Sequence, residues 1–397
     1  MVKKAKKIKK NAEKFNSPSK ISKMRNKKSE SKKNLNKRTK ANKEEIKDKM
    51  DIPNFKLFKK IVNGHFSGFS NNSFCAFKSI VSDCFYLVYI KDEYSLIIYD
   101  LINYQKLNEI KQNYINTLKH YEDSRNKKDL VLSFSSFEKR IKVFNIHDFS
   151  IICDIMFLNN FEDQYLYTCC LLKDSDQQFS VILSLSKEPI QIFDLNGNKK
   201  NEFKNSKSYG GISFLGVYYT SNSQKKYILM GGYSSCKSYD YDECKEYKTY
   251  QCEDNEGNYF ELIINNNGKE ELIGINDDGR IRIWDFHSGN SLKVIDINKR
   301  FCENFNYSYG ACLWNKGYLI IGRNKEDDKV RYLSKKRKED KNGYSIQIID
   351  LINGKMSLEF FEYKYMVNNI KKITHPLYGE CLLVQNGVQI DLWIKNE

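Results

Sequence analysis

Short runs of alternating apolar and polar residues, most of them closing on Asp or Asn, recur along the chain. Apolar side chains at every second position are typical of β-strands, and the Gly, Asn and Asp residues between the runs indicate turns. The runs are YSLIIYDL at 94–101, RIKVFNI at 140–146, PIQIFDL at 189–195, a weaker CKSYDY at 236–241, RIRIWDF at 280–286, YSIQIIDL at 344–351 and VQIDLWI at 388–394.

The spacing of these runs predicts the architecture. Their closing residues lie about 45 residues apart, with one longer interval before the last of them: Asp100, Asn145, Asp194, Asp240, Asp285 and Asp350. A strand and a turn precede each run, and a further strand follows. Four strands per repeat, seven times, with no helical pattern between them, predict an all-β fold: a seven-bladed β-propeller of four-stranded antiparallel blades.

The two ends of the repeat array predict how the ring closes. The last run ends at residue 394, which leaves no room for a fourth strand. The segment FKLFKKIV at 55–62 alternates like an outer strand but has no inner strands before it. We expect this N-terminal strand to complete the last blade and so remove an open sheet edge; the alternative is a stray strand or an amphipathic turn.

A charged insertion interrupts the sixth blade. The residues RNKEDDKVRYLSKKRKEDKNG at 323–343 separate two strands that would otherwise follow each other directly. Two interpretations stay open. The insertion is either a functional loop on a rigid scaffold or a tolerated surface expansion, since each doubling of loop length costs only ~0.6 kcal/mol. Its basic residues are candidate polyanion contacts: Lys335, Lys336, Arg337 and Lys338.

The copy at 274–297 resembles a WD repeat. The matching residues form the turn between the second and third strands, the signature Trp-Asp dipeptide and, elsewhere in the chain, one Gly-His pair: Asp278, Gly279, Trp284, Asp285, Gly64 and His65. The other copies are degenerate, and most of the buried His–Asp network of that family is missing. The resemblance covers roughly residues 55–394, and it implies a propeller that binds proteins on its broad faces and along its blade edges.

Positive charge is concentrated in an N-terminal arm, residues 1–50. The arm holds 20 of the 66 Lys and Arg residues but 5 of the 50 Asp and Glu residues, so the body over 51–397 is nearly neutral although the net charge is +16. With few apolar residues the arm cannot offset its ordering entropy, and we expect it to be disordered. Its candidate import or polyanion contacts are Lys3, Lys4, Lys6, Lys7, Lys9, Lys10, Lys27, Lys28, Lys32, Lys33, Lys37 and Arg38.

Three interpretations of this arm stay open. It is a nuclear or nucleolar import signal in RNA-rich surroundings, a solubilising or compositional tail, or an electrostatic anchor on a membrane surface or a microtubule. No aromatic residue interleaves with its lysine clusters, so base stacking is missing. Contact with RNA or another polyanion would therefore be non-specific and sensitive to salt.

The sequence indicates no catalytic or metal centre. The five histidines form no recognisable constellation, no hydrolase, zinc-protease, P-loop or EF-hand motif occurs, and the eleven cysteines include no CxxC pair. We expect no enzyme activity, no cofactor and no metal. Unpaired cysteines and the lack of an apolar leader or membrane-length run predict an intracellular protein without membrane insertion, in the nucleus, the nucleolus or the cytoplasm.

The sequence therefore predicts a non-catalytic scaffold or adaptor, a monomeric propeller within a larger assembly that binds partner proteins on its faces. The alternative is a nuclear or nucleolar RNA-associated factor of the ribosome-assembly type, in which the basic arm and the blade-six insertion hold nucleic acid. The alternative requires the root of the arm and the insertion to converge on one face of the propeller, whereas opposite faces favour the scaffold.

Overall fold

The strands of this chain form seven antiparallel sheets. The computed structural model describes residues 52–63, 73–91, 94–135, 137–157, 166–174, 178–185, 189–203, 212–220, 225–232, 235–251, 257–264, 268–276, 280–296, 310–315, 317–324, 344–363, 367–387 and 389–396. Within these ranges all strands belong to four-stranded sheets, and there is no helix. The predicted all-β, seven-bladed propeller is confirmed. The arm and the basic residues of the insertion lie outside the described residues.

The first three blades follow one another directly along the chain. Blade one contains β2 (Phe74–Lys78), β3 (Phe85–Lys91), β4 (Ser95–Asp100) and β5 (Gln105–Lys111). Blade two contains β6 (Thr117–Asp123), β7 (Lys128–Ser135), β8 (Arg140–Asn145) and β9 (Ile151–Met156). Blade three contains β10 (Leu166–Lys173), β11 (Phe179–Leu185), β12 (Ile190–Asp194) and β13 (Lys199–Phe203).

The next three blades repeat this order. Blade four contains β14 (Ile212–Tyr219), β15 (Lys226–Gly232), β16 (Ser235–Asp240) and β17 (Lys245–Gln251). Blade five contains β18 (Gly257–Ile264), β19 (Glu270–Asn276), β20 (Arg280–Asp285) and β21 (Ser291–Asp296). Blade six contains β22 (Ala311–Trp314), β23 (Tyr318–Asn324), β24 (Tyr344–Asp350) and β25 (Lys355–Tyr363).

Blade seven is built from both ends of the chain. Its strands are β26 (Val367–His375), β27 (Gly379–Asn386), β28 (Gln389–Lys395) and, on the outer edge of β28, β1 (Phe55–Asn63). The closing strand expected at 55–62 is present, and its pairing runs from Phe55 opposite Lys395 to Asn63 opposite Gln389. Because β1 covers the edge of β28, the last blade has the same four strands as the others.

Seven hydrophobic clusters hold the ring together, each between two consecutive blades. Inner strands are apolar on both sides because a blade lies on each side of them. In β20, for example, Ile283 packs towards blade six and Trp284 towards blade four. The cluster that contains Phe74, Leu87 and Leu392 joins blade seven to blade one, and it closes the ring.

In blades one to six, the third strand ends on an Asp or Asn that caps the turn to the fourth strand. The Asp100 carboxylate accepts a hydrogen bond from the N–H of Ile102 at 2.8 Å, and Asp285 accepts one from Ser288 at 2.7 Å. The same turn follows Asn145, Asp194, Asp240 and Asp350. An Asp or Asn side chain that bonds to the backbone just after it stabilises a tight turn, which explains why this residue recurs in the sequence.

The ends of the strands define two faces of the ring. Because neighbouring strands are antiparallel, turns from first to second and from third to fourth strand emerge on one face, here called face one. Connections from second to third strand, and from blade to blade, emerge on the other, here called face two. Phe55 lies opposite Lys395 at the face-one end of β28. The strands that flank the insertion end on face two, at Asn324 and Tyr344.

The structure corrects one boundary of the insertion. The sequence places its start at residue 323, but β23 continues to Asn324, where Arg323 pairs with Ser345 and Asn324 with Tyr344. The ladder between β23 and β24 extends two residues farther than the apolar pattern, because backbone pairing does not need apolar side chains. The insertion therefore begins after Asn324.

Candidate functional site

Two of the residues that carry the family resemblance are described, and both stabilise blade five. Trp284 is buried, with its ring 6.0 Å from that of Tyr250 in a T-shaped arrangement. Asp285 caps the following turn, and the backbone hydrogen bond from Ser288 is the main reason that its pKa lies below the ordinary value. Packing explains the role of Trp284, and turn formation explains that of Asp285.

The remaining sequence-predicted site residues lie outside the described ranges. They are the Gly-His pair, the turn between β19 and β20, and all basic candidates of the arm and the insertion: Gly64, His65, Asp278, Gly279, Lys3, Lys4, Lys6, Lys7, Lys9, Lys10, Lys27, Lys28, Lys32, Lys33, Lys37, Arg38, Lys335, Lys336, Arg337 and Lys338. Their predicted roles stay predictions.

Three aromatic side chains meet on face two, where blade one joins blade two. The ring of Tyr114 lies between the other two, 5.6 Å from that of Tyr94 and 4.3 Å from that of Phe137. Tyr94 is 50% exposed and Phe137 72% exposed. Tyr94, Tyr114 and Phe137 are called the aromatic surface below.

The backbone holds the aromatic surface in place. Tyr94 ends the turn before β4, and its carbonyl accepts a hydrogen bond from the N–H of Gln112 at 3.1 Å. The buried Gln112 side chain in turn accepts one from Ser133 Oγ of β7 at 2.7 Å. These bonds join the connection between the blades to the second strand of blade two. Tyr114, which follows in that connection, has a φ of 52°.

Sequence reasoning missed the aromatic surface because its members come from three separate connections. A single signal was present: Phe137 is a large apolar residue inside the polar stretch SSFEKR at 135–140. Periodicity identifies strands and leaves such turn residues unassigned. The register of blades one and two is what places the three rings together.

On face one, a buried carboxylate lies between two histidines. Asp129, with no exposed surface, has His120 Nε2 at 3.0 Å and His147 Nε2 at 2.9 Å. It also accepts hydrogen bonds from Ser79 Oγ at 2.8 Å and from the N–H of Ile80 at 3.1 Å. Burial alone would raise the pKa of Asp129, but the hydrogen bonds from the side chains of His120, Ser79 and His147 outweigh burial and lower it.

This histidine–carboxylate pairing has a counterpart in blade five. His287 follows its third strand as His147 does, and His287 Nε2 lies 2.9 Å from a Glu270 carboxylate oxygen at the start of the second strand. Ser79, which follows β2 of blade one, donates to Asp129 itself, so its hydroxyl is not paired with a histidine that could act as its base. The arrangement joins β2 of blade one to blade two and is a structural connection.

The first strand of each blade lies nearest the centre of the ring, next to the first strands of neighbouring blades. Cysteines occupy three of these strands. Burial raises the pKa of Cys75 to about 12 and that of Cys170 to about 11, and it also raises the pKa of Cys312. The thiolate is the nucleophilic form of cysteine, so these thiols are held in their unreactive form at neutral pH. Two lysines, Lys119 and Lys371, share the same region.

The described residues contain neither a metal-binding cluster nor a membrane-spanning helix. No group of three or more His, Cys, Asp or Glu side chains in these ranges could hold a metal ion. The same ranges contain no helix that is long and apolar enough to cross a membrane.

No family model matches the sequence, and no curated protein matches it. The fold is therefore defined by the structure, as a seven-bladed β-propeller. The more specific WD-repeat assignment depends on the residues of the copy at 274–297 and is carried forward as a proposal.

Proposed function

We propose that this protein is a non-catalytic interaction scaffold of the WD-repeat type and that it binds a partner protein at the aromatic surface on face two. The observation that carries the proposal is the exposure of Tyr94 and Phe137 on either side of Tyr114. Aromatic side chains contribute a large part of the binding free energy at protein interfaces. Contiguous exposed apolar surface on a soluble domain typically marks such an interface.

The side-chain chemistry of the described residues supports a non-catalytic role. His120 and His147 are engaged with Asp129, and His287 contacts Glu270 and Tyr247. The central thiols have raised pKa values because of burial. A catalytic site requires a nucleophile or base with a suitable pKa and an open position for substrate. Here the histidines are paired with carboxylates and the thiols are buried.

The positions of the chain segments on the ring also favour the scaffold over the RNA-associated alternative. That alternative needs the arm and the insertion to act together on one face. The described chain begins at Ile52, beside the face-one end of β28, whereas Asn324 and Tyr344 flank the insertion on face two. The alternative stays testable, because the arm and the insertion supply most of the clustered positive charge. An intracellular location, with import into the nucleus by the arm, is part of the proposal.

The test is affinity purification of the full-length protein from its own cells, with and without RNase. The informative variant is Tyr94→Ala/Phe137→Ala. The matched control is Leu377→Ala, which removes a side chain that is 63% exposed on face one. A third form lacks residues 1–51 but keeps every described strand. Thermal melting of each form checks that the fold is intact.

Loss of RNase-resistant partner proteins with the double variant, and retention with Leu377→Ala, would support the proposal. Retention of the same partners with the double variant would exclude the aromatic surface as the binding site. If the partners are RNase-sensitive and disappear when residues 1–51 are removed, the RNA-associated alternative replaces the scaffold.

A further inference from the structure

Two buried amide nitrogens without hydrogen-bond partners among the described residues lie at the inner end of the junction between blades seven and one. Asn369 on β26 is 3% exposed, Gln385 on β27 has no exposed surface, and Asn369 Nδ2 and Gln385 Nε2 have no partner among the described residues. The two residues are directly paired across the strands, so their side chains lie on the same side of the sheet. Ser73 Oγ donates to Gln385 Oε1, which leaves the amide N–H groups of Gln385 available.

A lysine extends this group of donors. Lys371 lies two residues after Asn369 on β26, so both side chains are on the side that faces blade one. Its ammonium lies 5.5 Å from the centre of the Phe74 ring and makes no hydrogen bond or ion pair with any described residue. Burial, with a further contribution from the charge of Lys119, lowers the pKa of Lys371. Lys371 is half-buried, and a cation partly withdrawn from water without a counter-charge is unfavourable.

Lys119 brings a second positive charge to the same region. It occupies the first strand of blade two in the position that corresponds to Lys371 in blade seven, since each lies opposite a leucine of the second strand, Leu132 or Leu383. The Lys119 ammonium donates to the carbonyls of Cys169 at 3.1 Å and Leu215 at 2.9 Å, on the first strands of blades three and four. No carboxylate of the described residues forms an ion pair with either lysine.

We propose that the centre of the ring binds a small tetrahedral oxyanion of the phosphate class, with Lys371, Asn369 and Gln385 as donors and Lys119 as a second positive charge. Three donor side chains and a second positive charge suit a ligand that accepts hydrogen bonds on several oxygens. Two ammonium groups at the centre of the ring, neither of them paired with a carboxylate of the described residues, favour a dianion over a monocarboxylate. Lys119, Asn369 and Lys371 lie on innermost strands and Gln385 on the strand beside them, so inorganic phosphate or a small phosphate monoester is the class that fits.

The test uses the full-length protein and compares ligands at matched ionic strength. Inorganic phosphate and glycerol phosphate are titrated by calorimetry and by thermal melting, with sodium chloride and sodium acetate as reference salts. The two phosphate arms distinguish the free ion from a monoester. The variant is Lys371→Met, which keeps the length of the side chain. The control is Lys355→Met at the exposed end of β25. It removes one positive charge, as Lys371→Met does, and both variants keep the basic arm.

We expect phosphate or its monoester to raise the melting temperature of the wild type more than chloride does. Lys371→Met should weaken binding at least tenfold, because it removes a charge-assisted hydrogen bond, whereas Lys355→Met should not change it. Equal binding by both variants would place the ligand on the arm or the surface and overturn the proposal. So would the same melting temperature in phosphate, acetate and chloride.

A second measurement does not depend on the stability of the variant. Lys371 in the wild type is labelled with an amine-reactive reagent, and the modified peptides are quantified by mass spectrometry with and without phosphate. Protection of Lys371, with no protection of Lys355, is the expected result. Equal labelling of Lys371 under both conditions contradicts the proposal.

Discussion

His147 Nε2 lies 2.9 Å from the buried carboxylate of Asp129 in blade two. The two residues are separated by eighteen positions in the sequence and come from the turn after the third strand and from the start of the second. Together with His120 and Ser79, they connect blade one to blade two through one carboxylate. The junction between these blades is thus held by a polar network in addition to its hydrophobic cluster.

Replacing this carboxylate should destabilise the ring. Asp129→Ala leaves the groups that faced it buried without an acceptor, and breaking a buried network of this kind costs about 3–5 kcal/mol. Chemical unfolding at pH 7 measures the loss. The control is Asp154→Ala, which removes an exposed carboxylate paired with Arg140 and should cost less than about 1 kcal/mol.

The same network predicts a pH dependence. Because the pKa of Asp129 is lower in the folded state than in the unfolded chain, the carboxylate stabilises the fold above its unfolded pKa of about 3.9. That contribution is lost as the pH falls through the lower, folded value. Unfolding free energies measured between pH 7 and pH 2 should fall more steeply for the wild type than for Asp129→Asn, with the difference developing below about pH 4. If the unfolding free energies of the two proteins change with pH in parallel, Asp129 does not contribute to the loss of stability at acid pH.

Two glycines with left-handed backbone conformations allow the cost of backbone strain to be separated from the cost of a steric clash. Gly289 has a φ of +76° and Gly379 a φ of +66°. A methyl group at Gly289 would lie 3.2 Å from the Thr249 carbonyl oxygen, whereas at Gly379 it would meet nothing within 4 Å. Gly379→Ala should therefore cost about 1 kcal/mol from the backbone alone, and Gly289→Ala should cost more. Chemical unfolding checks the order; equal losses would mean that the neighbouring strand yields to the methyl group.

The closing strand should make a large contribution to stability through one side chain. Phe55 is 5% exposed, and its ring packs edge-on against Trp314 of blade six at 4.8 Å. Phe55→Ala should destabilise the protein by about 3–5 kcal/mol. The matched control is Phe58→Ala on the same strand, where 42% of the side chain is exposed and the loss should be smaller. If the two variants melt at the same temperature, the closure of the ring does not depend on the packing of Phe55.

The central thiols should resist alkylation in the folded protein. Cys75 is buried and its pKa is raised to about 12, so the reactive thiolate is scarce and inaccessible at pH 8. Cys84, in the turn between β2 and β3, is partly exposed. Iodoacetamide labelling mapped by mass spectrometry should modify Cys84 before Cys75, and Cys75 should react after unfolding. Early modification of Cys75 in the native protein would indicate that the inner strands open.

The repeat could be predicted because its cause is local. Asp100 and Asp285 each bond to the backbone two or three residues later, so the requirement for an Asp or Asn is present in the sequence around every such turn. The runs of alternating apolar and polar residues identified the blades for the same reason. The closing strand at 55–62 followed from counting: six complete sets of four and one set of three.

The sites could not be predicted because their causes are distant in sequence. Tyr94 and Phe137 become neighbours through Tyr114 only when two blades pack side by side, and Asp129 meets its two histidines through strand register. Lys119 and Lys371 lie on blades at opposite ends of the chain.

The sequence by itself therefore determined the number of blades, their strands and the ring closure, because alternation and turn capping act over a few residues. Tertiary structure alone decided which side chains share a surface or face the centre of the ring. Those positions depend on the register and packing of segments far apart along the chain, so local sequence patterns do not predict them.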